Sequence, residues 1–274
     1  METNVSEQFQ RNGWVILKGF FTPQEIQLIR QGTEKSLKEN LKKDLLCNPY
    51  LRDLTVLNEK IISLVAKLLN AKPVYIGDSS ISFNELTMSL HKDNPDRFDA
   101  NAPDWRSAYN VLRMGIYLQD YTEDSGGLIL RDKSHLYPTR WKGKIINVQT
   151  KPGDLVVWNL RTTHSGNAKR LKASPGLDLN PYLCKVLPNF LFKPAPDNRM
   201  ALFLSYGAEG PHLERYITYL KNRKYAIERW RNMEITPELV AQGHRVGLKV
   251  LNLVDDAKEI DLASVSEGHI ELPY

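Results

Sequence analysis

Between residues 72 and 207 the apolar residues repeat with a period near two and are interrupted every few positions by turn formers. Short runs at 74–76, 80–83, 88–92, 111–118, 127–130, 145–148, 154–158 and 200–205 read as strands, because alternate side chains of an extended chain share a face. Gly126-Gly127, Pro152-Gly153, Gly166-Asn167 and Asp197-Asn198 punctuate them. No helical pattern alternates with these runs. That points away from a doubly wound parallel sheet and toward an antiparallel sandwich or barrel, with a jelly roll as the leading member.

The flanks have a different period. A short strand at 13–17 is followed by Thr22 and Glu25 at capping-box spacing, with Pro23 at the first helical position. A helix over 23–40 follows, its stripe including Ile26, Ile29 and Leu37, and a second runs from 56 to 69. After Tyr206 the helical period returns over 212–230, and Thr236-Pro237 starts another helical piece. The chain is therefore expected to be a single domain over 1–274. It has a helical N-terminal part at about 22–70, a core at about 72–207 and a helical C-terminal extension at about 212–254. Two stretches break the core, 94–106 and a proline-rich, partly aromatic insertion at 171–197, read as a lid-like element.

Composition narrows the function classes. Hydrophobic residues make up 42% and charged residues 25%, so a chain of this length buries a core without disulfides or a structural metal. Cys47 and Cys184 form no CxxC pair and read as inert thiols. The net charge of +5 comes from scattered residues rather than a basic patch, so no nucleic-acid partner is expected. No run approaches the length of a membrane span, and the polar start METNVSEQFQ does not read as a signal peptide. A cytoplasmic location and no membrane partner are the expectation; the oligomeric state is not legible.

The chemistry begins in LTMSLHKDNPDRF. On an extended chain His91 and Asp93 project together, with Lys92 opposite. An imidazole and a carboxylate side by side suit a borderline metal, and a catalytic ion needs a third ligand from elsewhere. His164 lies just past the strong strand signal of GDLVVWNLRTTHSGN. His91, Asp93 and His164 would make a set of two histidines and one carboxylate, the arrangement that leaves open positions on Fe(II). The plainer reading is a hydrogen-bonded surface pair at a strand end. His135 is the strongest rival ligand.

These pieces in order resemble a known family. HKD, then GIYLQDYTEDSGGLILRDKSH, then KPGDLVVWNLRTTHSGN, together with the opening FQRNGWVILKGFFTPQEIQLIR, are similar to the Fe(II)/2-oxoglutarate-dependent oxygenases of the phytanoyl-CoA dioxygenase (PhyH) superfamily. The resemblance runs from the start to about Tyr206. It implies a double-stranded β-helix, that is, an all-β, cupin-like jelly-roll core with flanking helices. It places the metal triad on His91, Asp93 and His164. The arginine that anchors 2-oxoglutarate would fall on Arg199 in NRMALFLSYG, although 35 residues separate it from His164 and Arg170 is a nearer rival. Ser205, six positions on, shares the parity of Arg199 and would assist it. Arg113 and Asn110, on or beside the 111–118 strand, are further candidates to face the cofactor pocket. Trp158 reads as core, and Asp154 as a turn carboxylate.

The resemblance implies Fe(II), with 2-oxoglutarate and O2 as co-substrates. The expected reaction is hydroxylation of an unactivated C–H bond in a small polar metabolite of secondary metabolism, with release of succinate and CO2. Two other classes stay open. One is a cupin-like metal enzyme that uses His91, His135 and His164 without 2-oxoglutarate. The other is a non-enzymatic β-sandwich that binds small molecules or sugars.

Overall fold

A computed structural model of the chain describes residues 4–41, 44–86, 89–270 and 272. The strands are β1 (Trp14–Leu17), β2 (Val74–Phe83), β3 (Val111–Tyr117), β4 (Gly127–Asp132), β5 (Lys144–Asn147), β6 (Leu155–Asn159), β7 (His164–Ala168), β8 (Met200–Gly207) and β9 (Lys249–Val250). The helices are α1 (Val5–Asn12), α2 (Pro23–Lys38), α3 (Glu59–Leu69), α4 (Pro181–Cys184), α5 (Pro211–Leu220), α6 (Lys224–Arg231), α7 (Pro237–Arg245) and α8 (Val254–Glu259). One sheet has the order β1-β6-β3-β8-β2-β9 and a second the order β5-β4-β7. All pairings are antiparallel except β2 with β9. This is the expected jelly-roll core with flanking helices.

The large sheet is apolar on both faces because each face has its own cover. One face packs on the helices through Ile29, Leu45, Ile61, Val65, Leu112, Met114, Leu204, Tyr206 and Trp230. The other faces the small sheet through Tyr117, Tyr121, Leu128, Leu130, Val156, Trp158 and Ala201. Helix α2 starts where its capping box requires. The Thr22 hydroxyl accepts from the Glu25 amide at 3.2 Å, and the Glu25 carboxylate accepts from the Thr22 amide at 2.7 Å. At Gly13, φ is +79°, and a Cβ there would lie 2.2 Å from the His135 ring. Only glycine ends α1 and admits that histidine at once.

Several elements differ from the sequence reading. Of the segment at 88–92, Met88 lies outside the described residues. The rest forms no strand but one isolated bridge, His91 with His164, because the small sheet offers it only the first residue of β7. The runs at 74–76 and 80–83 are one strand with a register shift between Tyr75 and Ser79. Residues 164–168 form β7, whose polar HSGNA hid its strand character. The helix at 212–230 is two helices. Asn222 and Arg223 leave the helical path, and Arg223 pairs with Ser266 of the C-terminal tail. Residues 5–12, to which the sequence pattern assigns no element, form α1, which buries Phe9.

Register decides what faces the space between the sheets. On the large sheet Arg113 sits opposite both Trp158 of β6 and Ser205 of β8, and Tyr117 sits opposite Ala201. A turn, with the Thr162 amide bonded to the Asn159 carbonyl at 2.7 Å, carries the chain from β6 to β7 in the other sheet. His164 is the first residue of β7 and lies opposite Leu130.

Candidate active site

His91 and His164 are held by reciprocal backbone hydrogen bonds, amide to carbonyl, at 3.0 and 2.9 Å. Asp93 follows, with its amide bonded to the Leu160 carbonyl at 3.0 Å. Lys92 points the other way, where its Nζ donates to the carbonyls of Ser134 and Arg161. The parity argument for His91 and Asp93 therefore describes the local geometry, although no full strand supports it. Candidate ligand atoms of His91, Asp93 and His164 all lie within 4.8 Å of one another. The Nε2 atoms of His91 and His164 stand 3.6 and 3.5 Å from the two Asp93 oxygens.

The tautomers follow from the partners. Nδ1 of His91 faces the Ser89 carbonyl and Nδ1 of His164 the Thr162 carbonyl, each at 3.0 Å. A carbonyl only accepts, so each Nδ1 carries the proton and each neutral ring presents the Nε2 lone pair. Burial pushes the His164 pKa down to about 4, against the opposing pull of Asp93, so that ring stays neutral near neutrality. Burial, the largest single effect, would raise Asp93, but the groups around it, Arg113 foremost, together outweigh it, and the carboxyl falls to about 2. The set thus offers two imidazole Nε2 atoms and one carboxylate, the donor chemistry that suits Fe(II).

Arg113 ties this centre to the sheet. It donates from Nη1 to Asp93 at 3.0 Å, from Nη2 to Asp78 at 2.9 Å and from Nε to the Ser205 hydroxyl at 3.0 Å. Asp78 is also paired with Arg229 at 2.7 Å and bonded by the Tyr216 hydroxyl at 2.8 Å. Ser205 therefore serves Arg113 rather than Arg199: strand parity put it on the right face, but the cross-strand register puts it opposite Arg113. Asn110 stands at the end of β3, where its Nδ2 donates to the Ala208 carbonyl at 3.2 Å. It does not line the cavity.

A cavity of about 170 Å³ opens beside the triad, lined by His91, Arg113, Tyr117, Trp158, His164 and Arg199, with Ser80, Ser82 and Phe203 also on its wall. Arg199 is 2% exposed and is held only by neutral acceptors: the carbonyls of Gly126, Glu85 and Gly166 and the Ser82 hydroxyl. No carboxylate among the described residues pairs with it. Two further groups on the wall, the Tyr117 hydroxyl and Trp158 Nε1, are buried without a hydrogen-bond partner among the described residues. A buried guanidinium without a counterion, beside two unsatisfied donors, fits a small dicarboxylate such as 2-oxoglutarate. The rival Arg170 spends its guanidinium on the carbonyls of Pro175 and Tyr121 and does not line this cavity. His135 bonds the Gln10 carbonyl at 3.0 Å, against Gly13, and is not part of the ligand cluster.

Sequence reasoning missed Tyr117, Ser82 and Phe203. A signal existed for two of them. Tyr117 has the parity of Arg113, and Gly115 between them leaves room for the Tyr117 ring, which a Cβ there would meet at 2.9 Å. Phe203 has the parity of Arg199 on β8.

The family model described as "Phytanoyl-CoA dioxygenase (PhyH)" matches residues 36–171, which include all three clustered residues. No curated protein matches the chain in sequence. Among solved structures, the non-heme α-ketoglutarate-dependent carbocyclase SnoK from nogalamycin biosynthesis is similar at a TM-score of 0.53 and 18% identity, over 76% of this chain and 84% of that one. HygX from Streptomyces hygroscopicus, with nickel and 2-oxoglutarate bound, is similar at 0.52 and 15%, over 74% and 86%. EctD from S. alaskensis, with 2-oxoglutarate and 5-hydroxyectoine, is similar at 0.53 and 15%, over 74% of each chain. At such identities these likenesses speak for the fold alone. The chain belongs to the phytanoyl-CoA dioxygenase (PhyH) superfamily of Fe(II)/2-oxoglutarate-dependent oxygenases.

Proposed function

We propose that the protein hydroxylates an unactivated C–H bond of a small polar metabolite of secondary metabolism, with His91, Asp93 and His164 as its iron ligands. The observation that carries the reading is the convergence of these three side chains at one end of a cavity that holds the unpaired Arg199. Iron and 2-oxoglutarate supply the oxidising chemistry when bound, with succinate and CO2 as co-products. The chain's own residues do the placing. The Ser89 and Thr162 carbonyls fix the ring orientations, and Arg113 keeps Asp93 ionised and oriented. Arg199, with Tyr117 and Trp158, would receive the far carboxylate of 2-oxoglutarate.

Retention of a carboxylate at position 93 supports hydroxylation, since related halogenases have a small residue there. The hydroxyls of Ser80 and Ser82 and the Arg113 guanidinium on the cavity wall support a polar substrate. Residues 171–197 would act as a substrate-side lid. They rejoin the core where the Pro194 carbonyl accepts from the Ser125 amide, beside Gly126 and hence beside Arg199.

The test is anaerobic titration of metal-free protein with Fe(II) and then 2-oxoglutarate, followed by the visible charge-transfer band of the chelated co-substrate. The band should appear in the wild type and vanish in H164A. In R199M it should need far more 2-oxoglutarate: loss of a buried charged partner costs about 2–5 kcal/mol, or roughly 30- to 5,000-fold in affinity. Folded, iron-loaded wild type without a band would sink the reading.

A further inference from the structure

A second cavity, of about 530 Å³, lies behind the triad, on the side of the chain to which Lys92 points. Its wall includes Trp105, Tyr109, Asn159 and Arg161. Arg161 is 8% exposed and takes part in no ion pair among the described residues. Its Nη1 donates to the carbonyls of Asp104 and Ser107, and its guanidinium lies 5.1 and 5.4 Å from the ring centres of Trp105 and Tyr109. Among the described residues its Nε has no partner, nor does the hydroxyl of Tyr109, a residue only 6% exposed. Nor does Lys92 compensate. It is 1% exposed, and its Nζ bonds only carbonyls, one of them that of Arg161 itself. The nearby acid, Asp104, turns its carboxylate to the Asn94 side chain at 2.8 Å and the Asp96 amide at 3.3 Å.

A buried guanidinium without a paired acid carries a desolvation cost that its carbonyl partners, the two rings and the nearby Asp104 offset only in part. A guanidinium between two aromatic rings is also shaped for a flat, bidentate acceptor. We propose that this second cavity binds a small organic oxyanion, held by Arg161 and stacked between Trp105 and Tyr109. The site is separate from the metal cavity, whose anion-binding arginine is Arg199. It is coupled to the triad through the backbone. Arg161 is followed by Thr162, whose carbonyl orients His164, and the Arg161 carbonyl accepts from Lys92, which lies between His91 and Asp93. An occupant would therefore bear on the geometry of the ligand set without touching it.

The test is calorimetric titration of the full chain, loaded with Mn(II) and 2-oxoglutarate, with benzoate, inorganic phosphate and neutral benzamide. Benzoate or phosphate should bind and benzamide should not; the tighter of the two anions tells a carboxylate ligand from a phosphate one. R161M should abolish binding. R161K, which keeps the charge but not the fork, should weaken it about 10-fold or more, in line with loss of one hydrogen bond to a charged group. R161K also serves if R161M does not fold, and 2-oxoglutarate binding checks that each variant is intact. Three results would overturn the proposal: no anion binding in the wild type, equal binding of benzamide, or binding that survives in both Arg161 variants and is lost in R199M.

Discussion

Replacement of Arg113 by methionine isolates the electrostatics of the metal centre. Arg113 joins the buried carboxylate of Asp78, at 2.9 Å, to the largely buried one of Asp93, at 3.0 Å. Asp78 keeps Arg229 at 2.7 Å and the Tyr216 hydroxyl at 2.8 Å, so the loss falls mainly on Asp93. The nearest remaining partners of Asp93 are the two imidazoles, at 3.6 and 3.5 Å. Removal of one member of a buried pair costs about 3–5 kcal/mol because the other charge is left uncompensated. At roughly 2–4 °C per kcal/mol for a chain near this size, metal-free R113M should melt about 6–20 °C below the wild type. A divalent ion at the triad would restore positive charge beside Asp93. Saturating Mn(II) should therefore raise the melting temperature more in R113M than in the wild type. Scanning fluorimetry in chelator and in excess Mn(II) reads both effects. A metal-free R113M that melts within about 2 °C of the wild type, or gains no more from Mn(II), would refute the argument.

Other predictions address separate links. Y117F should weaken 2-oxoglutarate binding about 2- to 10-fold, the worth of one neutral hydrogen bond, as measured by titration of the charge-transfer band. G115A should do so through position, since its Cβ would press the Tyr117 ring at 2.9 Å, and should cost about 1–3 kcal/mol in urea unfolding. Asp78 should govern the acid limb of stability. Burial alone would raise its pKa, but Arg113 and Arg229 hold it far below the usual range. A depressed carboxyl gives stability that is full above the unfolded value of about 3.9 and is lost as pH falls toward the folded one. D78N should therefore flatten the decline in unfolding free energy between about pH 5 and pH 3. T22A should cost about 0.5–2 kcal/mol through loss of the α2 cap, with 2-oxoglutarate affinity unchanged.

The jelly roll and most of its strands were legible because a period of two is local: it needs only that alternate side chains meet a core. The same holds for the shared direction of His91 and Asp93 and for the α2 cap, each decided within a few residues. Strand β7 was hidden because HSGNA is polar, and its extended form comes from pairing with β4. What only the tertiary structure decided is which parts of the chain meet. The sheet register gave Ser205 to Arg113 and opened the Tyr117 wall, and residues 171–197 fold out so that Arg199 still reaches the cavity. Cross-strand register depends on the whole pattern of burial rather than on any one segment. The backbone bridge between His91 and His164 has the same origin, with 72 residues of intervening chain that no local rule can span.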